Sequence, residues 1–291
     1  MKNARIFFFF FIQFISLQLF ADNDSLFIAD VKQFVFKEIG MNFKGDFFTE
    51  WNTSDQPYYY LYVSLPDKVE KPKEFSSSFT YCRQDERCIR TGEKEFQAQG
   101  YQTFCYKTYA NSGTSLNKRF ISYSPETKSF IIFHELIHNY ISQKGIEMPY
   151  EFNEALSDVI GNYGTLKYFR DNNRTDLVAA ENQIRRNEKI YSYMNSAIKK
   201  INRHPEKKIR YYTKCREKIH VVIKNATQFQ NDRFNYEVNN AFLLKNLYYC
   251  KNYFLLKKVF LRQKSIKDFL EIIQHIPGEK EDCIKYLQKF T

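Results

Sequence analysis

The chain has 291 residues, 43% hydrophobic and 26% charged, the balance of a globular protein with a sizeable core rather than of a disordered chain. Aromatics reach 18%, and only 9 Gly and 7 Pro are present, which excludes collagen-like and low-complexity chains. The formal charge is +11, and neither a GxGxxG nor a Walker-type phosphate loop occurs.

At the N-terminus, Lys2 and Arg5 precede an apolar run from Ile6 to Leu19 that contains five consecutive phenylalanines, Phe7 to Phe11. The run stops before the polar Asp22-Asn23-Asp24-Ser25. This layout predicts a secretory signal peptide over 1–21, because the apolar run is short for a membrane span. An uncleaved N-terminal anchor is the alternative. The expected location is periplasmic or secreted. Without 1–21 the chain keeps 42 basic against 33 acidic groups, a formal charge of +9. That balance favours anionic surfaces or acidic substrates. The densest basic run, Lys207, Lys208, Arg210, Lys214, Arg216 and Lys218, falls at helical spacing beside Ile209, Tyr212 and Ile219. It reads as a solvated helix face, so no nucleic-acid partner is expected.

Residues 22–123 read as a mixed α/β region. Residues 26–40 fit a helix or a strand. Segments 58–63, 75–81 and 101–109 are rich in aromatic, β-branched and hydroxyl residues and predict strands of a small sheet. A helix over 93–99 should end at Gly100. The strand near 102–110 is the expected edge for pairing with an extended peptide. All six cysteines, Cys82, Cys88, Cys105, Cys215, Cys250 and Cys283, follow the signal. Cys82 and Cys88 are the expected disulfide, closing a small loop in an exported chain.

From 124 onward the pattern is helical, with a metal-binding core predicted over 124–170. Ser124-Pro125-Glu126 supplies an N-cap hydroxyl, a proline at the first helical position and an acid in the first turn. The residues that follow are apolar on nearly every side, as in a buried helix. Within them stands His134-Glu135-Leu136-Ile137-His138. Residues four apart share a helix face, so both imidazoles can reach one ion, while Glu135 is rotated by about 100° and is left to act on a water. Gly145 and Pro149 predict a turn, and a second helix runs from 150 past 163. With about 1.5 Å of rise per residue, an antiparallel hairpin returns Glu154 to the level of His138, with Asp158 one turn further, towards His134. Two His, one Glu and a water make an open zinc site, one Zn2+ per chain, with Asp158 accepting an N–H from a liganding His. Glu147 and Glu151 are the rival third ligands. The remainder, 171–291, predicts a helical lobe. A long antiparallel hairpin breaks at Arg203-His204-Pro205 and continues to Phe229, and further helices follow near 236–260, 264–276 and 279–290.

HExxH followed by a helix bearing NExxSD resembles the gluzincin metallopeptidases, of which thermolysin is a familiar member. A closer resemblance is to the bacterial zinc-dependent aminopeptidase family. Three regions carry it: Gln99-Gly100-Tyr101 with the strand leading to Tyr109-Ala110; Ile132 to His138 with Phe152-Asn153-Glu154; and Val238-Asn239-Asn240-Ala241. It spans about residues 57–275. The resemblance implies a zinc peptidase with Glu135 as its base, and the aminopeptidase specificity is implied by the family alone. A GxMEN motif for a free amine is absent, and the stretch from Tyr109 to Leu116 matches the family's pattern loosely.

The expected fold is α+β: a small N-terminal sheet, a helix-turn-helix zinc core and a C-terminal helical lobe. The expected partner is a peptide or protein substrate. An exported binding or scaffold protein with a vestigial zinc site, and a zinc hydrolase of a non-peptide substrate, are the rival readings. Tyr109, Tyr150, Tyr163, Tyr236, Asn239 and Asn240 are candidate oxyanion or substrate contacts, with His204 and His220 as further donors. The sequence does not choose among them.

Overall fold

A computed structural model describes residues 24–40, 48, 50–51, 58–75, 79–83, 86–108, 115–116 and 118–291. The predicted signal over 1–21, Tyr109 and the side chains of Cys82 and Cys88, with their expected pairing, lie outside the described residues. Cys105, Cys215, Cys250 and Cys283 are free thiols. The chain is mostly helical with small sheets, the α+β class.

The first element, α1 over 24–39, buries Ile28, Val31, Val35 and Ile39. Steps of three and four residues put these four on one face, which settles the helix-or-strand ambiguity of 26–40. Gly40, at φ +70°, ends the helix in a conformation that suits glycine.

Two short strands, β1 (Glu50–Trp51) and β5 (Ser115–Leu116), pair in parallel, an element the sequence pattern does not reveal. The main sheet is antiparallel with β2 (Tyr58–Ser64) between β3 (Phe79–Arg83) and β4 (Gln102–Thr108). Side chains alternate across β2. Tyr59, Leu61 and Val63 form one cluster with Ile89, while Tyr62 joins Phe104 in the main core. The helix α2 (Glu86–Ala98) joins β3 to β4 and starts seven residues before the predicted position. The third strand likewise begins at Phe79 and not at 75, because Phe75 packs instead against Phe96 and Tyr101.

After α3 (Lys118–Ile121) come the two helices that matter most, α4 (Pro125–Gln143) and α5 (Tyr150–Asp171). Pro125 opens α4 as predicted, but Ser124 makes no side-chain cap to the backbone. Its hydroxyl bonds Thr127 Oγ1 at 3.2 Å instead. The turn between α4 and α5 closes through Ile146 N to Ile141 O at 3.0 Å, with Gly145 at φ +61°. The helices approach closely at Gly161 and Gly164. A Cβ at Gly164 would lie 2.5 Å from the Phe133 ring, and one at Gly161 would lie 2.9 Å from Phe130.

The predicted hairpin is α6 (Leu177–Arg203) and α7 (Lys208–Ile223), broken at Pro205–Lys207 by one 3-10 turn. It ends at Ile223 and not at Phe229, which belongs to a separate helix, α8 (Gln228–Phe234) capped by Thr227. The predicted helix 236–260 is two helices, α9 (Asn240–Cys250) and α10 (Tyr253–Phe260), followed by α11 (Ile266–Ile273) and α12 (Lys280–Gln288). Through Phe242, which meets Phe104 edge-on with ring centres 5.2 Å apart, α9 ties the lobe to the sheet. Among the described residues, no helix is long and apolar enough to cross a membrane.

Candidate metal centre

His134 and His138 stand one turn apart on α4, and their Nε2 atoms converge to 3.1 Å. Glu154 arrives from α5 and splits its carboxylate between them, with Oε2 3.6 Å from His134 Nε2 and Oε1 3.6 Å from His138 Nε2. All three ligand atoms lie within 4.8 Å of one another, so the group could hold a metal ion. A tetrahedral ion with bonds of about 2.0–2.2 Å spaces its donors about 3.3–3.6 Å apart. The 3.1 Å between the imidazole nitrogens and the 3.6 Å from each to its nearer carboxylate oxygen approach that spacing, and presenting one oxygen to both needs a rotation of the Glu154 carboxylate.

The far sides of both rings are also engaged. His138 Nδ1 lies 2.8 Å from Asn153 Oδ1, with Ser157 Oγ at 3.3 Å. The amide oxygen is an acceptor, so the hydrogen sits on Nδ1 and the Nε2 lone pair faces the cluster. His134 Nδ1 lies 3.0 Å from Asp158 Oδ1. Neither of these two buried atoms has another polar partner. Asp158 is fully buried, and its second oxygen takes Arg233 Nη2 at 2.9 Å and the Tyr191 hydroxyl. Burial opposes charge on Asp158, but Arg233 and His134 hold its carboxyl down to about 2. Burial likewise opposes charge on His134, yet the carboxylates of Asp158 and Glu154 raise it to about 10. Glu154 is buried too, and is kept ionised below its usual range by His134, His138 and the Tyr150 hydroxyl.

Glu135 is half-buried and stands outside the three-residue cluster. Of the rival ligands, Glu151 turns to Lys280 at 2.5 Å, and Glu147 lies exposed in the turn. Tyr150 reaches the site through its hydroxyl on the Glu154 carboxylate, although the residue is 47% exposed. Four other candidates are committed to the scaffold. Tyr163 donates to Glu188 at 3.0 Å. Tyr236 packs edge-on to Phe104 at 5.0 Å. Asn239 caps α9 by accepting from Phe242 N, and donates to the Thr103 carbonyl of β4 at 2.9 Å. Asn240 is buried and ties the Leu65, Pro66 and Lys68 carbonyls to α9. The contacts of these four include none of the three ligands. His204 is exposed beside Glu206, and His220 sits on α7, a helix with no direct part in the cluster.

Sequence reasoning missed Asn153, Arg233, Tyr191 and Tyr249. Tyr249 stacks on His134 with ring centres 6.4 Å apart, and Arg233 lies 4.3 Å over the Tyr249 ring. Only Asn153 carried a local signal, since it directly precedes Glu154.

No protein-family model, curated protein or solved structure matches this chain. The functional reading therefore rests on the site's own chemistry.

Proposed function

We propose that this chain is an exported zinc-dependent peptidase of the gluzincin type, resembling the bacterial zinc-dependent aminopeptidases. The observation that carries the reading is the buried triangle of two imidazole nitrogens and a carboxylate, supported behind His134 by a buried acid. Three protein ligands of this kind leave one tetrahedral position open, as catalytic zinc sites do and closed structural sites do not.

Zinc held by His134, His138 and Glu154 would lower the pKa of a water to about 7 and polarise a substrate carbonyl. The chain's residues divide the rest. Asp158 and Asn153 orient the two rings so that Nε2 of each faces the ion. Glu135, carried by the same helix but outside the ligand set, takes the proton of the attacking water and delivers it to the leaving amine. Tyr150 restrains Glu154 and is the described candidate tyrosine near enough to face a substrate there. The strand β4 is an edge of the main sheet, the side to which an extended peptide would add, and its Thr103 carbonyl is already taken by Asn239.

A peptide-library digest read by mass spectrometry tests the proposal and separates single-residue trimming from internal cuts. Glu135→Gln should keep about one zinc per chain and lose turnover by a factor of roughly 10²–10⁴. Hydrolysis that survives this change would remove Glu135 from the reaction. A zinc-loaded protein that cuts no peptide would favour a binding protein or a hydrolase of another substrate.

A further inference from the structure

Lys245 lies on α9, one turn before Tyr249, and is 2% exposed. Its Nζ sits 4.0 Å from the Tyr106 ring centre and 5.5 Å from that of Tyr249. Tyr249 in turn stacks on the ligand His134. Among the described residues, no hydrogen bond or ion pair reaches this amine. The two nearby acids are already engaged. Asp158 holds Arg233 and Tyr191, and Glu154 faces the two histidines. They act on Lys245 through space only.

An amine on so buried a side chain, with no acceptor from the protein, is costly, and two tyrosine faces compensate for part of that cost. Burial, then the charge of Arg233, pushes the Lys245 ammonium well below its ordinary range, while Asp158 and Glu154 pull it back. Arg233 shows what a satisfied cation in this core looks like: it has its own carboxylate at 2.9 Å. A methionine would fill the Lys245 position with the same length and no donor to satisfy. What Lys245 lacks is an anion. Its location indicates where one would come from, because Tyr106 belongs to the edge strand β4 and Tyr249 to the wall of the metal centre. The amine therefore lies between the ligands and the strand along which an extended peptide would run.

We propose that Lys245, framed by Tyr106 and Tyr249, binds a carboxylate of the peptide substrate beside the metal centre. The inference deepens the peptidase reading and rests on it. The carboxylate is either the free C-terminus or an acidic side chain, and the two have the same chemistry at the amine.

The test is calorimetry on the full chain carrying Glu135→Gln, which should hold peptides without cutting them. The probes are Ala-Phe-Ala with a free C-terminus, the same peptide as its amide, and Ala-Asp-Ala amide. The free acid should bind more tightly than its amide if the C-terminus is the ligand. The aspartyl amide should do so if the side chain is. Adding Lys245→Met should weaken the preferred acid by roughly 10–100-fold and leave the neutral amide unchanged. Lys245→Arg should retain part of the preference, and zinc content should hold in both variants. Equal binding of all three probes to the Lys245 chain would overturn the proposal without any variant, as would a preference that survives Lys245→Met in a folded protein. Calorimetry reads binding alone, and the peptide-library digest of the chain with Glu135 intact reads hydrolysis separately. A failed peptidase reading would show as a parent chain that cuts nothing yet prefers the acid, and a failed subsite as one that cuts peptides with no such preference.

Discussion

Glu154 and Glu151 are three residues apart on one helix, yet their carboxylates have different partners. Glu154 meets Nε2 of both histidines at 3.6 Å, while Glu151 is drawn to Lys280 at the protein surface. Two histidines alone leave zinc with too few protein ligands for a stable site. Glu154→Ala should therefore lose bound zinc and any activity together, whereas Glu151→Ala should keep both. Metal analysis of the two purified variants checks this, and the reverse result would mean that the register of α5 against α4 has been misassigned. The residues of this cluster were legible in the sequence because they need only helical spacing and one short turn. The partners behind them were not. Arg233 and Tyr191 close on Asp158 from α8 and α6, and no local spacing announces that they will.

The α4–α5 pair is the element that holds the ligands at this separation. Its spacing is set by glycine as much as by the apolar residues around it. Gly164 leaves no room for a methyl group, since a Cβ there would lie 2.5 Å from the Phe133 ring, adjacent to His134. Gly164→Ala should push the helices apart and cost about 1–3 kcal/mol of stability, the range for overpacking a filled core. It should also weaken zinc binding, because α4 would carry both histidines away from Glu154. Denaturant unfolding and a zinc titration of the variant measure the two effects. Unchanged values in both would show that α4 and α5 can slide to accommodate the group. The sequence foresaw this hairpin from Gly145, Pro149 and the apolar runs, but the close approach at Gly161 and Gly164 depends on which phenylalanines lie opposite.

At the scale of the whole molecule, the buried charges of the site link stability to pH. His134 is raised to about 10 from an ordinary 6.5, so in chelator-treated protein its imidazolium favours the folded state. That contribution is fully present below pH 6.5 and is lost as pH rises through about 10. The melting temperature of chelator-treated protein should therefore fall across this window. Zinc must displace the same proton, so loading near neutral pH should release protons, and calorimetry in two buffers of different ionisation enthalpy measures that release. A melting temperature that rises from pH 7 to 10 would contradict the charge assigned to His134.

The sequence by itself determined what depends on local spacing: the i and i+4 histidines, the turn that brings Glu154 to their level, the strands of the small sheet and the α6–α7 hairpin. These follow from helix rise, strand alternation and turn residues, all written over short stretches of chain. Only the tertiary structure decided which polar side chains are enclosed together. It placed Arg233 and Tyr191 on Asp158, seated Lys245 between two tyrosines beside the ligands, and assigned Tyr163, Tyr236, Asn239 and Asn240 to the scaffold. The reason is that burial is a property of the assembled core. A buried charge is tolerated according to the neighbours that fold against it, and those neighbours are distant in the chain, 75 residues apart for Arg233 and Asp158.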